Sequence, residues 1–124
     1  MAEVSPQSFP ANPSIPLSPD MRAAYEDLYD KIQAAQQANR YNLAAVQLLN
    51  QWEPQVDEVL DQDDECTLSK DTNVFATLQK QIKSVNEGLT TLRGQVKAIA
   101  SHFAMAADVI AAIDKVLGFF VPGA

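Results

Sequence analysis

From Phe75 to Phe120 apolar residues recur at alternating spacings of three and four: Phe75, Leu78, Ile82, Val85, Leu89, Leu92, Val96, Ile99, Phe103, Ala106, Ile110, Ile113, Leu117 and Phe120. No polar residue interrupts this seven-residue repeat. Such a seam stays on one face only if the segment is a long helix lying along another helix, as in a coiled coil. The predicted fold class is therefore all-α.

The first half carries a matching seam behind a clear start signal. Ser18 can cap, Pro19 suits the first helical position, and Asp20 favours the positive end of the helix dipole. Met21, Tyr25, Leu28, Ile32 and Ala35 then continue in phase through Asn39 and Asn42 to Val46, Leu49, Glu53, Val56 and Leu60. The expectation is a long antiparallel helical hairpin, coiled-coil-like, within a single domain over residues 18–124. It comprises a helix of about 19–61, a turn at 62–71 and a helix of about 72–120, the last roughly 75 Å long if straight. A break near Asn39–Asn42, where helix propensity is poor, or at Pro54, which removes a hydrogen bond, would give a three-helix bundle instead. Ser69 and Asp71 are plausible caps for the next helix, and Gly88 and Gly94 are its expected points of bending.

Residues 1–17 read as a Pro-rich extended arm. Pro10, Pro13, Pro16 and Pro19 recur every third residue, the period of polyproline II, and Phe9, Ile15 and Leu17 could anchor the arm over Phe119 and Phe120.

Charge limits the function. The chain of 124 residues has a net charge of −7, so attraction to phosphate backbones is not built in and no nucleic-acid partner is expected. The acidity is uneven: twelve carboxylates against three Lys or Arg give −9 in residues 1–65, while four against six give +2 thereafter. A hairpin folded about residue 66 would set Glu53 and Asp57 near Lys80, Asn39 and Asn42 near Gly94 and Thr91, and Ile32 near Ser101. The start MAEVSPQS has no basic or apolar signal region, and Asp108, Asp114 and Lys115 interrupt the last apolar stretch before it reaches membrane-spanning length. Cytoplasmic residence is the default expectation, with signal-less export left open.

Catalytic and metal chemistry find little footing. Cys66, the single cysteine, adjoins Glu65 and reads as a surface or turn residue with a disfavoured thiolate. The run Asp57, Glu58, Asp61, Asp63, Asp64, Glu65 fails as a calcium loop, because Cys66 and Thr72 stand where a glycine and a glutamate belong. His102 has no companion for a triad or zinc site and reads as partly buried or interfacial, and the four glycines are isolated. Trp52, Tyr25, Tyr29 and Tyr41 suit a core or interface better than a ligand box. No catalytic residue, metal or cofactor is expected.

What remains is the width of the apolar face. Beyond residue 96 the positions flanking the seam become Ala100, Ala107, Val109, Val116 and Val121, so the helix is apolar nearly all round and needs cover on several sides. One partner helix cannot provide that. The chain is therefore expected to be a non-enzymatic helical interaction or assembly protein, an adaptor, chaperone-like protein or structural subunit. Its interaction residues would be Val96, Ile99, Phe103, Val109, Ile110, Ile113, Val116, Leu117, Phe119 and Phe120, meeting a second copy or a helical protein partner. The rival reading is a membrane-active helical protein that inserts residues 98–121, which the charge disfavours.

Overall fold

A computed structural model describes residues 17–69 and 72–119, and among them the regular structure is entirely helical. The elements are α1 (Pro19–Ala38), α2 (Leu43–Ser69), α3 (Thr72–Ala98), a single 3-10 turn (Ala100–His102) and α4 (Ala106–Gly118). Helix α1 starts where the sequence signals it. Ser18 is extended, its hydroxyl accepts the Met21 N–H at 3.3 Å, and Pro19 follows. The proline spacing and the anchors Phe9 and Ile15 lie outside the described residues, as do Asp71 and Phe120.

One break falls where the sequence offered it as the alternative, and two boundaries differ from the expectation. The first arm is broken at residues 39–42, so Pro19–Ala38 and Leu43–Ser69 are separate helices. Pro54 does not end α2, which runs through it and also absorbs the acidic stretch expected to be the turn. The reason is burial: Val56, Val59, Asp63 and Cys66 keep the inward spacing of α2, so helix here continues the core stripe. The second arm is broken as well, at residues 99–105. The result is four helices, neither one uninterrupted rod nor three.

Helix α1 packs on α2 and α4, and α3 packs on α2 and α4, closing a four-sided bundle. The two breaks face each other. Asn39 bonds Ala104 in both directions, its Nδ2 donating to the Ala104 carbonyl at 2.9 Å and its Oδ1 accepting the Ala104 N–H at 2.8 Å, while Asn42 Nδ2 donates to the His102 carbonyl. These pairs, together with Trp52 against Gly88, are symmetric about residues 70–72. The expected symmetry point, residue 66, is displaced because α2 runs on to Ser69. Asn39 and Asn42 therefore meet Ala104 and His102 instead of Gly94 and Thr91.

This geometry decides how the apolar C-terminal segment is covered. Ala106, Val109, Ala112, Ile113 and Val116 of α4 are buried, with α1 and α3 packed against that helix. The additional helix demanded by its width is thus α3 of the same chain, on which α4 folds back while α1 covers another side. Helix α3 runs unbroken through Gly88 and Gly94. Gly88 serves contact: a Cβ there would lie 1.8 Å from the Trp52 ring.

Candidate interaction surface

Most of the candidate chemical residues are occupied structurally. Asp63 is a buried carboxylate of α2 that accepts the Leu17 N–H at 2.6 Å and the Arg22 guanidinium at 2.7 Å. Arg22 also reaches Asp64 at 2.8 Å and Glu26 at 3.0 Å. These contacts pin the start of α1 against the last third of α2. Burial opposes the Arg22 charge, but hydrogen bonds to Asp64, Asp63 and Glu26 outweigh it and hold the guanidinium above its already high pKa.

Glu53 faces α1, not Lys80. It accepts hydrogen bonds from Gln36, Gln33 and Tyr29 at 3.1, 3.2 and 3.3 Å, and those donors, Gln36 first, hold its carboxyl below the usual range. Neighbouring Asp57 is pushed the other way, by desolvation and then by Asp61 and Glu53. Ion pairs between described residues stay within one half of the chain, such as Arg93 with Asp114 at 2.5 Å. The charge asymmetry between halves is therefore not converted into direct pairs there. Asp108 of α4 does act at longer range on Lys31 of α1.

Cys66 is fully buried in α2, not at a surface or turn, and burial followed by the charges of Asp63 and Glu65 pushes its thiol up. That is the opposite of an activated nucleophile. His102 is exposed on the 3-10 turn, so of the two readings, partly buried or interfacial, the first does not hold. Among the described residues no group of three His, Cys, Asp or Glu is arranged to hold a metal ion, and no helix is long and apolar enough to cross a membrane. Tyr25 and Trp52 belong to the core, and Tyr25 Oη meets Asn86 Oδ1 at 2.9 Å.

The expected interaction residues divide sharply. Val96, Phe103, Val109, Ile113 and Val116 are buried inside the bundle, so they form its own core. Ile99, Ile110 and Leu117 are half-buried and pack against that core. Phe119 is 40 % exposed, and Phe120 lies outside the described residues.

Large apolar surface is instead presented elsewhere. Tyr41 is 90 % exposed and Leu43 is 70 % exposed at the corner between α1 and α2, and Leu68 is 84 % exposed near the end of α2. Arg40 lies 5.0 Å from the centre of the Tyr41 ring, a cation–π contact that leaves most of the ring to solvent. Immediately along α2, Ala44 and Leu48 join Ala98 of α3 and Ile99 just beyond it in lining an open groove that also includes Gln47, Gln51 and Gln95. The corner and the groove are thus neighbours at one end of the bundle. Sequence reasoning named Tyr41 but missed Leu43, which stands one residue off the seam directly after the weak helical stretch Asn39–Asn42. No protein-family model matches the chain, and neither the curated proteins nor the solved structures give a match.

Proposed function

We propose that the protein is a non-enzymatic helical interaction or assembly module. It docks through the corner end of the bundle, where Tyr41 and Leu43 stand beside the groove of Ala44, Leu48, Ala98 and Ile99. In this reading α2 and α3 are a coiled-coil-like antiparallel hairpin that carries the surface, and the partner is another helical surface, in the simplest case a second copy. The supporting observation is the exposure of Tyr41 and Leu43 in a bundle whose other large apolar residues, among those described, are mostly covered. Adjacent exposed apolar residues of this size mark contact sites, and the tyrosine adds a polar tip suited to an interface rim.

Inserting residues 98–121 into a membrane would first require removing Val109, Ile113 and Val116 from the core, which favours the docking reading over the membrane-active one. Sedimentation of the natural chain and of a Tyr41→Asp, Leu43→Asp variant, each over a wide concentration range, is the test. Association of the natural chain is expected, weakened at least about tenfold in the variant, the effect of losing 1.4 kcal/mol at the interface. Equal association of the two proteins at equal helical content overturns the assignment.

A further inference from the structure

The α3–α4 corner contains no helix-breaking residue, yet it is not α-helical. Residues 99–105, IASHFAM, contain neither glycine nor proline, and the apolar seam runs through them in phase. Met105 nevertheless takes a left-handed conformation, φ 68°, which is unfavourable for any side chain beyond glycine and occasionally asparagine or aspartate. Local preference and tertiary structure therefore disagree at this point. What holds the corner closed is Asn39, 65 residues away in sequence, through its two hydrogen bonds to the Ala104 backbone.

The same seven-residue phase crosses the other break. Leu28 and Ala35 before it and Leu49 and Val56 after it are all buried, and Asn42 at the break holds the intervening place in that repeat. Because the breaks lie opposite each other, both arms could straighten together. The pairs α1 with α4 and α2 with α3 would then keep their partners and their register. Only α1 against α2 and α3 against α4 would separate.

We infer that the paired breaks form a hinge about which the α1 and α4 layer exchanges between two copies of this chain. In the exchanged dimer α1 of one copy lies on α2 of the other, and α4 lies on the partner's α3. Every such contact is one the closed monomer already makes, so the second copy is complementary by construction. The polar contacts that would be re-formed between copies include Arg22 with Asp63, Gln36 with Asn50, and Arg93 with Asp114. A single open chain is unfavourable, since opening removes cover from Leu49, Val56 and Val109, all fully buried in the closed bundle. Only a second open copy restores it. This inference rests on the assembly reading and names the partner.

The test places thiols on two helices that separate on opening. Gln36→Cys and Asn50→Cys, in a Cys66→Ala background, put one thiol on α1 and one on α2, where the natural side chains hydrogen-bond at 2.9 Å. The protein is refolded at high concentration, monomer and dimer fractions are separated, and each is treated with a short bis-maleimide. Cross-links within one chain in the monomer and between chains in the dimer are expected. Asn39→Ala removes the latch and is expected to raise the dimer fraction at least about tenfold, since losing even one of its two hydrogen bonds to Ala104 has that effect. Met105→Gly relieves the left-handed residue and is expected to lower it, which carries the test if Asn39→Ala does not fold. A dimer cross-linked only within chains overturns the exchange while leaving the assembly reading standing. Absence of any dimer from the natural and variant chains overturns the exchange and removes the second copy as partner.

Discussion

At the scale of single residues, the two α3 glycines make opposite predictions. Gly88 faces the Trp52 ring, so an added methyl must displace a rigid, buried indole. Overpacking of that kind costs about 1–3 kcal/mol, more than the roughly 1 kcal/mol that alanine returns in helix propensity. Gly94 has nothing within 4 Å of its would-be Cβ. Urea unfolding is expected to show Gly88→Ala destabilised and Gly94→Ala stabilised by about 1 kcal/mol. Tyr25 yields a pH prediction. Burial raises its phenol well above the ordinary value of 10.0, and the hydrogen bond with Asn86 only partly offsets this. The unfolded chain therefore loses this proton first as pH rises, so the stability contribution is complete below pH 10.0 and declines above it. Tyr25→Phe is expected to cost about 1 kcal/mol near neutral pH and to flatten the decline above pH 10, measured by denaturant midpoints at both conditions.

At the scale of elements, α1 is tied down at both ends by contacts with distant parts of the chain. Asn39 holds its C-terminal corner, and Asp63 holds its N-terminal entry through Leu17 and Arg22. Removing the Asp63 carboxylate leaves the Leu17 N–H and the Arg22 charge without that partner. Asp63→Ala is expected to cost about 3 kcal/mol, while Asp63→Asn, which keeps one carbonyl acceptor, costs less. Hydrogen exchange is the discriminating readout: protection should fall first in the opening turns of α1, and uniform loss along all four helices would contradict the clamp. The extension of α2 to Ser69 was hidden in the sequence for the same reason. Asp63 looks like one more surface carboxylate in an acidic run until Arg22, 41 residues away, is brought against it.

At the scale of the molecule, internal cover of α4 separates two substitutions one helical turn apart. Ile113 is fully buried, while Ile110 is only half-buried. An unpaired carboxylate at residue 113 should cost several kcal/mol, a large share of the 5–15 kcal/mol that stabilises an ordinary domain. Ile113→Asp is thus expected to abolish cooperative unfolding, and Ile110→Asp to lower its midpoint while the fold persists. A well-folded monomer from Ile113→Asp, judged by circular dichroism and sedimentation, would show that the residue's cover comes from another chain.

The all-helical class, the Ser18 cap and the buried positions Leu78, Ile82, Val85, Leu89, Leu92 and Val96 were legible because each depends on near neighbours or on periodicity. Periodicity states which face of a helix is apolar, but not which helix covers it. A straight rod and a doubled-back bundle use the same residues at that level. The choice between them lay in the Asn39 amide meeting the Ala104 backbone, in Met105 accepting a left-handed conformation, and in α1 folding back on α2 and α4 on α3. These are long-range contacts, and their energies exist only after the chain has brought the partners together. That is why the sequence alone determined helices and their apolar faces, whereas the tertiary structure decided where those helices break, and with them which apolar residues were sealed in the core and which, like Tyr41 and Leu43, were left at the surface.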